Sequence, residues 1–320
     1  NDGVFAGFRQ DLKFMKKIFV GLLVVLLFFC AWNYSLLYYA FAQLNGQLTI
    51  VFESKPIDEV INDENIPKET RDKLLLIADI KKFAVEELGY SESDNYTTFY
   101  DQHHRPLMYV VSACPEFSME EYEWQFPIAG SFTYKGFFER KMADKEIAEL
   151  KAGGYDVYLG TASGWSTLGW LQDPVLSGML DKSEGELAEL IIHELTHSFK
   201  YEKDNITFNE NLATFIGEKG AILYLNKKYG DDSPQKIEYK NILHDNALFE
   251  GYMTSGFYQL DSLYKGFNSQ LSIQNKKELK RKKIANLLEG VSTLPLSDPM
   301  RFKYIDKKRE QINNAWFAGF

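Results

Sequence analysis

The chain has 320 residues, 45% hydrophobic and 15% aromatic, which suits about two ordinary domains or one large one with a substantial core. A formal net charge of −9 argues against a nucleic-acid partner, which would need a basic face. The only cysteines are Cys30 and Cys114, too few for a thiolate metal site, and Cys30 sits in an apolar run that makes a disulfide between them an unfavourable expectation.

Residues 1–14 precede Met15-Lys16-Lys17 and read as an extension upstream of the natural start. Ile18 to Ala42 carries no charge and exceeds the about 20 residues that span a bilayer, so 15–42 reads as a signal-anchor or transmembrane segment. Lys16 and Lys17 at its edge place the N-terminus in the cytoplasm and the rest of the chain outside. A cleavage site needs small residues, which LLFFCAWNYS lacks, and Phe28-Phe29 before Cys30 disfavours lipid attachment.

Residues 43–183 read as a mixed α/β part. GQLTIVFESKP (46–56) reads as an exit segment. Ile66-Pro67 opens a helix to about Leu88, with Leu74, Ile77, Phe83, Ala84 and Leu88 inward. Strands follow at 97–100 and 107–114, flanking a polar turn with His103-His104, whose adjacent side chains diverge and chelate poorly. Phe132-Thr133-Tyr134 ends another strand, and 139–151 is a helix closed by Gly153-Gly154. Tyr155–Gly160 is a strand whose edge can hold an extended peptide by main-chain pairing, which makes Tyr158 and Gly160 candidates for substrate binding. Trp165 and Trp170, in the loop 161–183, are either a substrate-pocket wall or a cap on the core.

Residues 184–320 read as an all-helical part that carries the chemistry. Ser183 with Glu186 forms a capping box, and Leu187, Ile191 and Leu195 supply an apolar back to the helix that follows. On its front, His193-Glu194-Leu195-Thr196-His197 sets two imidazoles four residues apart on one face. Zinc takes neutral imidazoles in a tetrahedral shell and keeps one position open at catalytic sites. Glu194, beside the first histidine, is placed as a general base for metal-assisted hydrolysis.

Asn209-Glu210 opens the next helical pattern after a short loop, 201–208. Folding that helix back brings Glu210 to the histidines as the third ligand of one Zn²⁺ per chain. Glu218, two turns on, is the competitor, or a hydrogen-bond partner for a ligand histidine. Further helices follow: an amphipathic pattern at 237–263, a basic one at 276–288 with a solvated face, and one starting at Ile305. Tyr201, His244, Tyr252 and Tyr258 are the candidates for stabilising an oxyanion, with no choice among them.

PEFSMEEYEWQFPIAGSFTYKGFF (115–138), GYDVYLGTASGWSTLGWLQDPVLSGML (154–180), LIIHELTHSFKYEKDNITFNENLATFIGEKGA (190–221) and NNAWFA (313–318) resemble a bacterial family of predicted aminopeptidases carrying the H-E-x-x-H motif. The resemblance covers most of 38–320. It implies a helix-rich α+β, zincin-like fold, a His-His-Glu zinc peptidase acting on peptides, and Glu210 as third ligand. It also implies a membrane-anchored or lipoprotein-like protein and a natural chain continuing past Phe320; together with the basic flank of the apolar segment this gives a bacterial inner-membrane protein whose catalytic part faces the periplasm or exterior. The expected function is a zinc-dependent aminopeptidase. The alternatives are a non-catalytic, zinc-stabilised surface binding module and an envelope endopeptidase.

Overall fold

The computed structural model describes residues 15–320 except 26, 27, 29, 127–129, 163–171 and 204. Trp165 and Trp170 therefore lie outside the described residues. The chain forms two compact units, one ending at Ile50 and the other running from Val51 to Phe320.

The first unit holds helix α1 (Met15–Trp32) and most of α2 (Tyr34–Glu53). The α1 stretch has a mean hydropathy of 2.1 and is long and apolar enough to cross a membrane, properties a signal sequence shares. Residues 46–53, read from the sequence as an exit segment, are helical and form the last turns of α2. Leu48, Ile50, Val51 and Phe52 extend its apolar run, and the helix stops only ahead of Pro56. Proline lacks the N–H a helix needs and pushes its predecessor toward extended backbone.

The second unit begins with β1 (Lys55–Pro56), α3 (Ile57–Asn62) and α4 (Lys68–Leu88). Helix α4 starts behind Pro67 and stops at Gly89, whose φ of 75° is the left-handed cap that glycine adopts without a Cβ clash. Leu74, Ile77, Ile80, Phe83 and Ala84 form its buried stripe, and Leu88 is only partly covered.

Three small sheets follow. In the first, β2 (Thr98–Tyr100) pairs antiparallel with β1 and parallel with β8 (Val175–Leu176). In the second, β3 (Met108–Pro115) lies between β6 (Tyr134–Phe137) and β7 (Tyr155–Ala162), antiparallel to both. The third is the hairpin of β4 (Trp124–Phe126) and β5 (Gly130–Phe132). The strand expected to end at Tyr134 is thus two strands, and Thr133 marks where the chain leaves one sheet for the other. Helix α5 (Arg140–Ala152) packs against β3 and β7.

From Glu184 on, every regular element among the described residues is helical: α6 (Glu184–Phe199), α7 (Ile206–Tyr229), α8 (Pro234–Lys265), α9 (Ile273–Gly290) and two short terminal helices. The content is α+β and helix-rich, as the sequence predicts. Residues 305–320 are not one helix. They divide into α10 (Tyr304–Lys308), a 3₁₀ turn at Arg309–Gln311 and α11 (Asn314–Phe317).

Two asparagines explain that break. Asn313 donates to the Val157 carbonyl at 2.9 Å. The buried Asn314 amide donates to the carbonyls of Pro115, Glu116 and Ser118, each at 3.1 Å, and accepts from the Tyr264 hydroxyl at 2.7 Å. The backbone N–H of Asn314 goes to Asp156, which also pairs with Lys280 at 2.5 Å. The NNAWFA phrase is therefore a clamp that ties the ends of β3 and β7 to α8 and α9. Trp316 and Phe317 of the same phrase enter a core with Phe249, Met253, Leu260, Leu287 and Phe302.

Candidate metal centre

Helix α6 is built as its sequence demands. Ser183 Oγ accepts from the Glu186 N–H, and Glu186 returns an acceptor to the Ser183 N–H at 3.1 Å. Burial alone would raise the Glu186 carboxyl, but hydrogen bonds from Arg301 and Ser183 hold it below its ordinary value. Leu187, Ile191 and Leu195 are buried on the back of the helix. Thr196, inside the motif, gives its proton to the Ile192 carbonyl at 2.7 Å and accepts from Tyr90 at 2.7 Å, fixing the helix against the segment after α4.

Helix α7 starts earlier than predicted, at Ile206, because Asn205 caps it by accepting from the Phe208 N–H at 3.2 Å. Glu210 thus sits at the start of the second turn and not in the first. Asn209 closes the return loop: its buried side chain accepts from the Glu202 N–H and donates to the Glu202 carbonyl, both at 2.8 Å. That pair of hydrogen bonds ties the return loop to α7 one residue before Glu210.

Small residues let the two helices meet. Ala213, Gly217, Gly220 and Ala221 form the buried stripe of α7. A Cβ added at Gly217 would lie 3.0 Å from the Glu189 carbonyl oxygen and 3.2 Å from His193 Cβ, and one at Gly220 would meet Ile192 at 2.9 Å. We expect Gly217→Val to push the helices apart at the level of His193. Overpacking of this kind costs about 1–3 kcal/mol. The expected result is a melting temperature lower by several degrees together with weakened metal retention; a variant that melts and binds like the parent contradicts this.

The outcome of the packing is a convergence of three side chains. His193 Nε2 lies 3.5 Å from Glu210 Oε2, and His197 Nε2 lies 3.5 Å from Glu210 Oε1. One ligand-capable atom from each of the three falls within 4.8 Å of the others, the only such group of three among the described residues. Ligands about 2.1 Å from a central ion stand about 3.4 Å apart in a tetrahedral shell, so the spacing fits zinc. The donor set fits as well. Burial, and next the neighbouring His197, depress the His193 pKa, which favours the neutral imidazole a metal requires. Nδ1 of His197 is buried with no hydrogen-bond partner among the described residues, leaving Nε2 as the atom turned to Glu210.

Glu194 is half-buried beside this group. Burial, then the charges of Asp173 and Glu210, push its carboxyl up to about 7. Asp173 is itself buried, and Tyr96, whose hydroxyl is raised first by its own burial and then by Glu194, lies in the same region. Sequence reasoning did not point to either residue.

Glu218 lies outside the convergent group, and its charge acts instead on Glu189 and Tyr239. Tyr158 packs on the C-terminal core, and β7, which carries it with Gly160, is an edge strand among the described residues. Of the proposed oxyanion donors, Tyr252 is committed to the Leu287 carbonyl at 2.9 Å. Tyr201 and Tyr258 are exposed surface side chains, as is His244. None of the four lines the cavity of about 260 Å³ that adjoins His193 and Glu194. That cavity is walled by Lys182, Glu186, Glu189, Asn246 and Arg301. Two larger cavities, of about 650 and 620 Å³, include none of the convergent residues.

The chain is thus a helix-rich α+β protein with two histidines and a carboxylate gathered on adjoining helices. Residues 38–320 match the family described as "Putative aminopeptidase", and the chain belongs to that family. No curated protein and no solved structure matches it.

Proposed function

We propose that the protein is a zinc-dependent peptidase of the zincin-like, His-His-Glu kind, and within its family an aminopeptidase. The observation that supports it is the pair of 3.5 Å contacts joining His193 and His197 to the two oxygens of Glu210, with Glu194 alongside. His193, His197 and Glu210 would hold one Zn²⁺. When bound, the ion supplies a lowered pKa for water and polarisation of the scissile carbonyl. Glu194 takes the proton of the attacking water and hands it to the leaving amine. A carboxylate pushed up to about 7 is a ready base, and a nearby dication would draw it lower. Digestion of a mixed peptide library, read by mass spectrometry, tests the reading. Loss of residues one at a time from amino termini is expected; purely internal cleavage contradicts the exopeptidase assignment.

In the same reading, α1 anchors the protein in the bacterial inner membrane and the second unit faces the periplasm or exterior. The apolar α1 and Lys16-Lys17 support it. Full-length protein should stay with the membrane pellet through alkaline carbonate washing; quantitative release into the soluble fraction contradicts the anchor.

A further inference from the structure

The cavity that adjoins His193 and Glu194 has an uneven charge account. Its Glu186 is saturated, taking hydrogen bonds from Arg301 at 2.6 Å and from the Ser183 N–H and hydroxyl at 3.1 and 2.8 Å. The second cation bond of Arg301 goes to Asn246 at 3.1 Å. Glu194 serves as the base. That leaves Glu189, a half-buried carboxylate whose Oε2 accepts from the Tyr239 hydroxyl at 2.9 Å. No other hydrogen bond to it and no ion pair with Lys182 is present among the described residues, although the Lys182 charge is felt there. A partly desolvated carboxylate with an acceptor oxygen to spare, on the wall of a cavity, calls for a cationic donor.

Distance selects which cation. Glu189 stands one turn before His193, about 6 Å along the helix axis. In an amino-terminal residue the α-nitrogen is two bonds, about 2.5 Å, from the carbonyl carbon that must sit at the metal. A hydrogen bond of about 2.9 Å carries the reach of that nitrogen to about 5.4 Å, one helical turn, whereas a lysine side-chain amine, about 5 Å farther out, reaches about 10 Å and overshoots. At about 260 Å³ the cavity is below the roughly 300–1,000 Å³ of sites that take whole drug-sized ligands, so it suits one residue and not a length of chain.

We propose that Glu189 binds the free α-ammonium group of the substrate, with the cavity receiving its amino-terminal residue, which confines cleavage to the first peptide bond. This rests on the reading of the centre as a zinc peptidase site. The test uses the full-length zinc-loaded protein and its Glu189→Gln variant, which keeps the side-chain size and an acceptor for Tyr239. Leucine hydroxamate and its desamino counterpart, 4-methylpentanoyl hydroxamate, are titrated by calorimetry. A leucyl peptide and its N-acetylated form are assayed in parallel. The parent should bind the amine-bearing hydroxamate roughly tenfold tighter or more, the scale of a charged hydrogen bond, and cleave only the free peptide. Glu189→Gln should lose that preference and raise KM for the free peptide by a similar factor, with zinc content unchanged. Equal binding of the two hydroxamates by the parent, or a preference that survives in Glu189→Gln, overturns the proposal. A parent that holds zinc and cleaves both peptides equally well overturns it too while the zinc peptidase reading stands. A parent that binds no zinc overturns both.

Discussion

Glu194→Gln is expected to keep its zinc and lose its peptide turnover. The amide preserves the size of the side chain and its place on α6, so the fold and the three convergent side chains should stay as they are. What disappears is the proton acceptor. General-base catalysis contributes about 10²–10⁴-fold, so kcat should fall by at least that much with little change in substrate affinity. Burial and the charges of Asp173 and Glu210 already disfavour the ionised carboxylate. The measurement is steady-state kinetics on a short peptide beside elemental analysis of the same sample. Full activity in the variant contradicts the assignment of the base.

Glu210→Gln should behave in the opposite way, losing metal and activity together. Both oxygens of Glu210 face the imidazole nitrogens at 3.5 Å, and a neutral amide is a poor zinc ligand. Glu218→Gln is the matched control. Eight residues further along α7, it stands about 12 Å away along the axis and cannot substitute in the same shell. Its charge bears on Glu189 and Tyr239, so its zinc content should equal the parent's. Zinc retained by Glu210→Gln and lost from Glu218→Gln reverses the ligand assignment.

What could be read from the sequence was the chemistry written within a few residues. The capping box at Ser183 and Glu186 and the apolar back of α6 are local and the helix bears them out, and the two histidines four residues apart both lie on it. Glu210 was reachable because it follows α6 after one short loop. The start of α7 was misplaced by three residues because Asn205 caps it, whereas the sequence reading waited for Asn209, which closes the loop with its side chain.

The walls of the cavity were not legible. Arg301 meets Glu186 across 115 positions, and no periodicity in either segment announces the pairing. Gly217 and Gly220 carry a sequence trace, a small-residue stripe on α7, yet its meaning depends on the partner helix, which only the fold supplies. The NNAWFA phrase was visible as a resemblance, but its work as a clamp rests on carbonyls near Pro115 and Val157 that are remote in the chain. The helical state of 46–53 was not foreseen, although its apolar residues continue the run of α2.

The central claim is that His193, His197 and Glu210 form one zinc site. Its most direct test is elemental analysis of the purified protein and of His193→Ala, prepared side by side without added metal. About one zinc per chain in the parent and close to none in His193→Ala is the predicted result. Equal zinc in the two proteins, or none in the parent, contradicts the account.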